Sequence, residues 1–103
     1  MTPVPIRITI SPDTIIKHRG LKLLYQRGNR SRVLSEHVER IEDILARLDV
    51  ASTPFDLDLP GYKLHALKGK LKSFWSVSVS GNWRIVFRFK KGDVFDVNLI
   101  DYH

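Results

Sequence analysis

The sequence predicts an α+β domain, with two N-terminal helices packed on one face of a small, antiparallel-dominated sheet. Apolar residues recur at helical spacing in the first half of the chain, whereas from Trp75 onward they alternate at period two. Glycine-containing turn signals at 80–82 and 90–94 divide the alternating half into neighbouring strands, which favours hairpins. The length of 103 residues suits one domain, so we expect residues 1–103 to fold as a unit.

The first 13 residues form an arm ahead of this domain. The arm contains three prolines and Arg7, a composition that is unlike a signal peptide. Within it, the IRITI segment at 6–10 alternates at period two and is a candidate edge strand.

The first helix is expected within residues 14–28. Leu21, Leu24 and Tyr25 share one stripe there, and Gly28 provides a stop.

The second helix has the clearer pattern, with apolar residues spaced by four, three, four and three positions. These residues are Leu34, Val38, Ile41, Leu45 and Leu48. We expect Asn29 or Ser31 to cap this helix and the helix to end near 49–51.

The strand register follows from keeping one apolar face. A three-residue loop at 80–82 places the apolar residues of the two strands on the same face of the sheet, whereas a two-residue turn places them on opposite faces. The expected pairs are Trp75 with Phe87, Val77 with Ile85 and Val79 with Trp83. At the next turn they are Phe89 with Phe95, Phe87 with Val97 and Ile85 with Leu99.

The even-numbered residues of the last two strands then form an exposed polar face. Arg84 is predicted opposite Ile100 and diagonal to Tyr102, and Arg88 is predicted opposite Asp96.

The charge balance favours a polyanionic partner. The sequence has 17 Lys and Arg against 11 Asp and Glu, a net charge of +6. It has no cysteine, which excludes disulfides and thiol chemistry, and no apolar run of ~18 residues that would span a membrane. A cytoplasmic protein is expected. The four histidines, His18, His37, His65 and His103, lack the spacing of metal ligands, so neither a metal nor another cofactor is expected.

The exposed sheet face is the candidate site. Arg84 lies at its centre with Tyr102 beside it, while His65 precedes the first hairpin strand in a polar loop and His103 ends the chain. A cation, a phenol and two imidazoles suit RNA phosphodiester cleavage by acid–base chemistry without a metal.

Ordinary structural roles fit the same residues. His65 can bond the loop backbone, Asp101 can simply end its strand, and His103 can be a solvated terminal residue. His18 and His37 are interpreted as a helix-start residue and a structural residue of the second helix.

A basic edge accompanies this face. Lys68, Lys70 and Lys72 are spaced by two residues and, with Arg88, are candidates for binding the RNA backbone. Solvated lysines and an Arg88–Asp96 ion pair are the structural alternatives.

Three stretches carry a family resemblance: KHRGLKLLYQRG, LPGYKLHALKGKLKSFWSVSVSGNWRIVFRF and GDVFDVNLIDYH. Their LHxLKG, SGNWRI and terminal DYH elements, in this order, resemble the HigB branch of the RelE/ParE toxin superfamily over residues 14–103. The resemblance implies a ribosome-dependent mRNA endonuclease (an mRNA interferase) acting in the 30S A site. It also implies silencing by a helix-turn-helix antitoxin of HigA type, with operator DNA bound only through the toxin–antitoxin complex.

The resemblance also implies roles for individual residues. His65, Asp101 and His103 become acid–base candidates, Arg84 stabilises the phosphate, and Tyr102 orients or stacks on the RNA. A non-catalytic alternative on the same scaffold is a ParE-like module that inhibits a protein such as gyrase, although the terminal His/Tyr set favours cleavage.

Overall fold

The structure is a computed structural model that describes residues 15–102. The arm at 1–13, its candidate edge strand and His103 lie outside the described residues.

The described residues form two helices followed by a four-stranded sheet. The elements are α1 (Arg19–Arg27), α2 (Val38–Val50), β1 (His65–Ala66), β2 (Trp75–Ser80), β3 (Trp83–Lys90) and β4 (Asp93–Asp101). Three 3₁₀ turns are Ser35–His37, Pro54–Leu57 and Gly69–Leu71. The strand order is β1-β2-β3-β4 with every neighbouring pair antiparallel, which confirms the predicted α+β class. No helix of this part of the chain is long and apolar enough to cross a membrane.

Helix α1 forms where the sequence predicts it. His18 caps its start, as its Nδ1 accepts a hydrogen bond from the Leu21 amide at 3.2 Å, and partial burial lowers the pKa of this imidazole. Gly28 ends the helix with a left-handed φ of 66°. Leu21 and Leu24 are buried and Tyr25 is half-buried, so the predicted stripe is confirmed.

Helix α2 has the predicted apolar face from Val38 onward, but the predicted cap and the predicted place of Leu34 on this face are wrong. Asn29 Oδ1 accepts from the Ser31 amide at 2.9 Å and closes a separate turn, and Leu34 lies before the helix with 51% of its surface exposed. The helix begins only after His37, which is buried with its ring 5.9 Å from that of Trp83. A 3₁₀ turn over Ser35–His37 therefore occupies the position predicted for the first turn of the helix.

The β2–β3 connection is a two-residue turn at 81–82, not the predicted three-residue loop. Ser80 pairs with Trp83, and the predicted Val79–Trp83 pair is wrong. A bulge between Ser78 and Ser80 absorbs the one-residue offset, so the pairs Val77–Ile85 and Trp75–Phe87 are as predicted. The apolar face is preserved by the bulge rather than by the loop length.

The β3–β4 hairpin likewise combines a two-residue turn with a β-bulge. Lys91 and Gly92 both have positive φ, 53° and 83°, as a tight hairpin turn requires. Phe89 therefore pairs with Val94, which makes the predicted Phe89–Phe95 pair wrong.

A second bulge then restores the register. Asp96 adopts a φ of 54°, and the ladder shifts between Val86 and Arg88, where the predicted Phe87–Val97 pair would fall. Arg88 pairs with Phe95 rather than with Asp96. Beyond the bulge, the pairs Ile85–Leu99 and Arg84–Ile100 are as predicted.

Both helices pack on one face of the sheet, as predicted. The core there joins helix residues such as Leu21, Ile41 and Leu48 to strand residues such as Val77 and Phe87, all completely buried. Removal of this apolar surface from water is the main source of stability for such a domain.

The opposite face is less open than the sequence suggests. Val86 is only 2% exposed and shares a cavity with Leu71 and Phe74 of the β1–β2 connection, and Ser76 is fully buried. Leu67 anchors this connection by donating its amide hydrogen to the Phe74 carbonyl at 2.9 Å. The expectation of a wholly exposed polar face is therefore wrong, and the loop predicted around His65 contains the short strand β1 instead.

Candidate active site

Arg84 lies at the centre of the candidate site, on β3. Its cross-strand partners are Ser78 on β2 and Ile100 on β4. The half-buried guanidinium reaches across β2, where its Nη1 donates to the Ser76 Oγ over 3.4 Å. This contact holds the cation over the middle of the sheet rather than free in solvent.

His65 is brought to the same place from the sheet edge. On β1 it is the register partner of Ser76, and residues directly opposite in an antiparallel pair share one face, with Cβ atoms about 5 Å apart. The side chain of His65 is exposed. The imidazole of His65 and the guanidinium of Arg84 therefore lie on either side of Ser76.

Tyr102 completes the described part of the site. The Tyr102 amide donates to the carbonyl of Asn82 over 2.7 Å, so the end of the chain is tied to the β2–β3 turn. The Tyr102 ring is 41% exposed, and its centroid lies 6.0 Å from the Arg84 guanidinium carbon. The expected pairing of Arg84 and Tyr102 on one face is confirmed.

Asp101 is on β4, but its register places it on the other face of the sheet from Arg84. Its register partner is Trp83, whose ring contacts His37 on the helix side of the sheet. The strand register therefore assigns Asp101 to the opposite face, although its side chain is exposed at the strand end.

The predicted RNA-binding cations divide into two groups. Lys68, Lys70 and Lys72 are all exposed on the connection that follows β1. Arg88, in contrast, contacts Asp96 through Nε at 3.1 Å and lies 4.6 Å from the ring centroid of Phe95. Its charge is engaged within the protein, so the lysines are the better placed cations for a phosphate backbone.

Ser76 is a site residue that the sequence-based interpretation missed. It is fully buried, accepts from Arg84 and lies opposite His65. Its even-numbered position on β2 was the available signal, because that parity places it on the face of Arg84.

Within residues 15–102, no three His, Asp or Glu side chains are grouped as ligands for a metal ion. The site instead combines a positioned cation, an alcohol, a phenol and an imidazole beside exposed lysines. Such a face can bind a phosphodiester and stabilise negative charge that develops on it.

Comparison with known proteins adds two findings. Residues 14–103 match the model of a family described as the RelE-like toxin of the type II toxin–antitoxin system HigB. A protein of Proteus vulgaris named Endoribonuclease HigB is 46% identical over 87 residues, which cover 84% of this chain and 95% of the relative. The family match includes all the candidate site residues and leaves the arm at 1–13 outside.

Proposed function

The chain belongs to the HigB family of RelE-like toxins of type II toxin–antitoxin systems, and we propose that it acts as an endoribonuclease on mRNA in the A site of the 30S ribosomal subunit. The relative's name supports RNA cleavage as the activity. The observation that carries the proposal is the position of Arg84, which contacts Ser76 and lies beside the Tyr102 ring, while His65 is in register with Ser76 on the adjacent strand.

The proposed reaction needs no metal. The RNA 2′-hydroxyl loses its proton to a base and its oxygen attacks the adjacent phosphorus, while the P–O5′ bond breaks and the 5′-oxygen takes a proton from an acid. The products are a 2′,3′-cyclic phosphate and a 5′-hydroxyl. His65 and His103 are the proposed acid–base residues, whereas the register of Asp101 with Trp83 assigns Asp101 to the opposite face.

Arg84 is proposed to stabilise the charge that builds on the phosphate during this exchange. Its hydrogen bond to Ser76 orients the guanidinium before the substrate arrives, which reduces reorganisation in the transition state. Tyr102 offers a half-exposed ring on which an RNA base can stack. Lys68, Lys70 and Lys72 attract the RNA backbone.

A type II toxin is paired with a protein antitoxin. We propose that the antitoxin is a helix-turn-helix protein of HigA type and that operator DNA is bound only through the complex of the two proteins. The cytoplasm, where ribosomes translate mRNA, is the proposed location.

The test compares Arg84→Ala with Arg27→Ala, which removes the same charge from the exposed end of α1. We expect the Arg84 variant to cleave mRNA in translating ribosomes at least ~100-fold more slowly, because loss of one donor to a developing oxyanion has an effect of that order. The Arg27 variant should cleave at the wild-type rate. Naked mRNA, assayed in parallel, should remain intact.

Equal cleavage by wild type, Arg84→Ala and His103→Ala would overturn the proposed mechanism. Growth arrest without RNA cleavage, accompanied by disturbed DNA supercoiling, would instead identify the ParE-like alternative.

A further inference from the structure

A cavity of about 180 Å³ lies on the sheet face that carries Arg84. Its walls are apolar and are formed by Leu71, Phe74, Val86 and Ile100, while Lys17, Asp96 and Asn98 form a polar rim. We propose that this cavity binds one nucleobase of the RNA, next to the phosphodiester bond that is cleaved. This proposal rests on the endoribonuclease function proposed above.

The cavity adjoins the candidate site through the strand register. Ile100 is the direct cross-strand partner of Arg84, and Val86 follows Arg84 by two residues on the same face of β3. A two-residue step along a strand is about 7 Å. A phosphate at Arg84 and a base in the cavity can therefore belong to the same or neighbouring nucleotides.

The size and lining suit a planar ring. A volume of about 180 Å³ is below the ~300 Å³ at which pockets for drug-sized ligands begin. The β1–β2 connection supplies the Phe74 ring and the Leu71 side chain, and β3 supplies Val86 as an aliphatic wall. Single-stranded RNA is recognised in this way, by unstacked bases that lie against aromatic side chains.

The polar rim can bond the edge of such a base. Asn98 Oδ1 accepts from the Leu99 amide at 2.9 Å, which orients the side chain so that its Nδ2 group serves as a donor. Lys17 is held beside β4 because its amide donates to the Val97 carbonyl at 2.7 Å. Asp96 is already paired with Lys17 at 3.4 Å and with Arg88. Asn98 thus presents the donor of the rim, and all nucleobases carry ring-nitrogen or carbonyl acceptors.

The test combines a filled cavity with abasic RNA. Leu71→Trp places a larger side chain in the cavity wall, and Leu34→Trp, at an exposed position before α2, is its control. The RNA probes are ribosome-bound mRNAs with a single abasic nucleotide at each position around the cleaved bond. Cleavage is measured under single-turnover conditions.

We expect one abasic position to slow the wild-type protein by about 5- to 150-fold, the range that loss of one stacked base produces. Leu71→Trp should cleave intact RNA more slowly by a similar factor. The abasic nucleotide that slows the wild type should not slow this variant further, because both changes remove the same contact. Leu34→Trp should behave as wild type throughout.

A second variant keeps the test valid if Leu71→Trp does not fold. Asn98→Asp retains the oxygen that accepts from Leu99 but removes the Nδ2 donors, and it should show the same non-additivity at the same nucleotide. Wild-type rates for both cavity variants, or abasic losses that simply add to theirs, would overturn the nucleobase site. If cleavage still depends on Arg84 in that case, only the cavity proposal fails. Absence of cleavage by the wild type would refute the proposed function itself.

Discussion

The two faces of the sheet are stabilised in different ways. On the helix side, Phe87, Ile85 and Val77 are completely buried under α1 and α2, and the contacts are apolar. On the other side, the short β1–β2 connection covers Val86 but leaves Arg84 half-buried among polar partners. The comparison separates a face that supplies most of the stability from a face whose polar groups are positioned for chemistry.

The largest expected difference between the faces is in the free energy of unfolding. Phe87→Ala removes a fully buried ring, so we expect a loss of about 3–5 kcal/mol in urea unfolding monitored by circular dichroism. Arg84→Ala on the other face removes one long hydrogen bond to Ser76 and should change stability by about 1 kcal/mol. Comparable losses for both variants would contradict the division between the faces.

A smaller effect is expected where α1 meets the chain before α2. A Cβ at Gly20 would lie 2.7 Å from the backbone oxygen of Arg32, so Gly20→Ala must displace one of the two segments. We expect a loss of about 2 kcal/mol, as overpacking commonly produces. Gly28→Ala is the control, because its Cβ would meet no atom within 4 Å and only its left-handed φ of 66° opposes the change.

In thermal unfolding, Gly20→Ala should lower the midpoint temperature more than Gly28→Ala does. A Gly20 variant as stable as wild type would show that α1 moves easily away from this contact.

The smallest effect concerns a buried carboxyl between the helices. Burial raises the pKa of Asp49 to about 7, although Tyr25 donates a hydrogen bond to its Oδ1 at 3.2 Å. Because the folded protein binds this proton more tightly than the unfolded chain, the contribution of Asp49 to stability should be fully present below about pH 4 and should be lost as the pH rises to about 7. We expect a decrease of about 1–2 kcal/mol, since polar neighbours and water moderate the full linkage effect.

Asp49→Asn should remove this component of the pH dependence, because the amide accepts from Tyr25 but does not titrate. Urea unfolding at several pH values from 4 to 8 measures it. A variant whose stability profile parallels that of wild type would assign the pH dependence to other groups.

Local patterns predicted most of the helix side. The apolar spacing of α2 and the Gly28 stop of α1 follow from helical geometry alone, so both were accessible from the sequence. The start of α2 was not, because His37 at this start has no side-chain cap hydrogen bond and is buried against Trp83, which is distant in sequence.

The sheet shows a similar limit. Alternation identified the apolar face and the Arg84–Ile100 pair, but the turns are one residue shorter than predicted and two bulges restore the register. Periodicity cannot distinguish a longer loop from a short turn with a bulge, since both keep the same residues on the buried face.

By itself, the sequence determined the α+β class, the helix faces and the side of the sheet on which Arg84 and Tyr102 lie, because each depends on spacing between near neighbours. The tertiary structure alone decided that Ser76 contacts Arg84, that the β1–β2 connection lines an open cavity beside it, and that Asp101 is in register with the helix side. These features depend on how distant segments meet, and they follow from packing and strand register rather than from local periodicity.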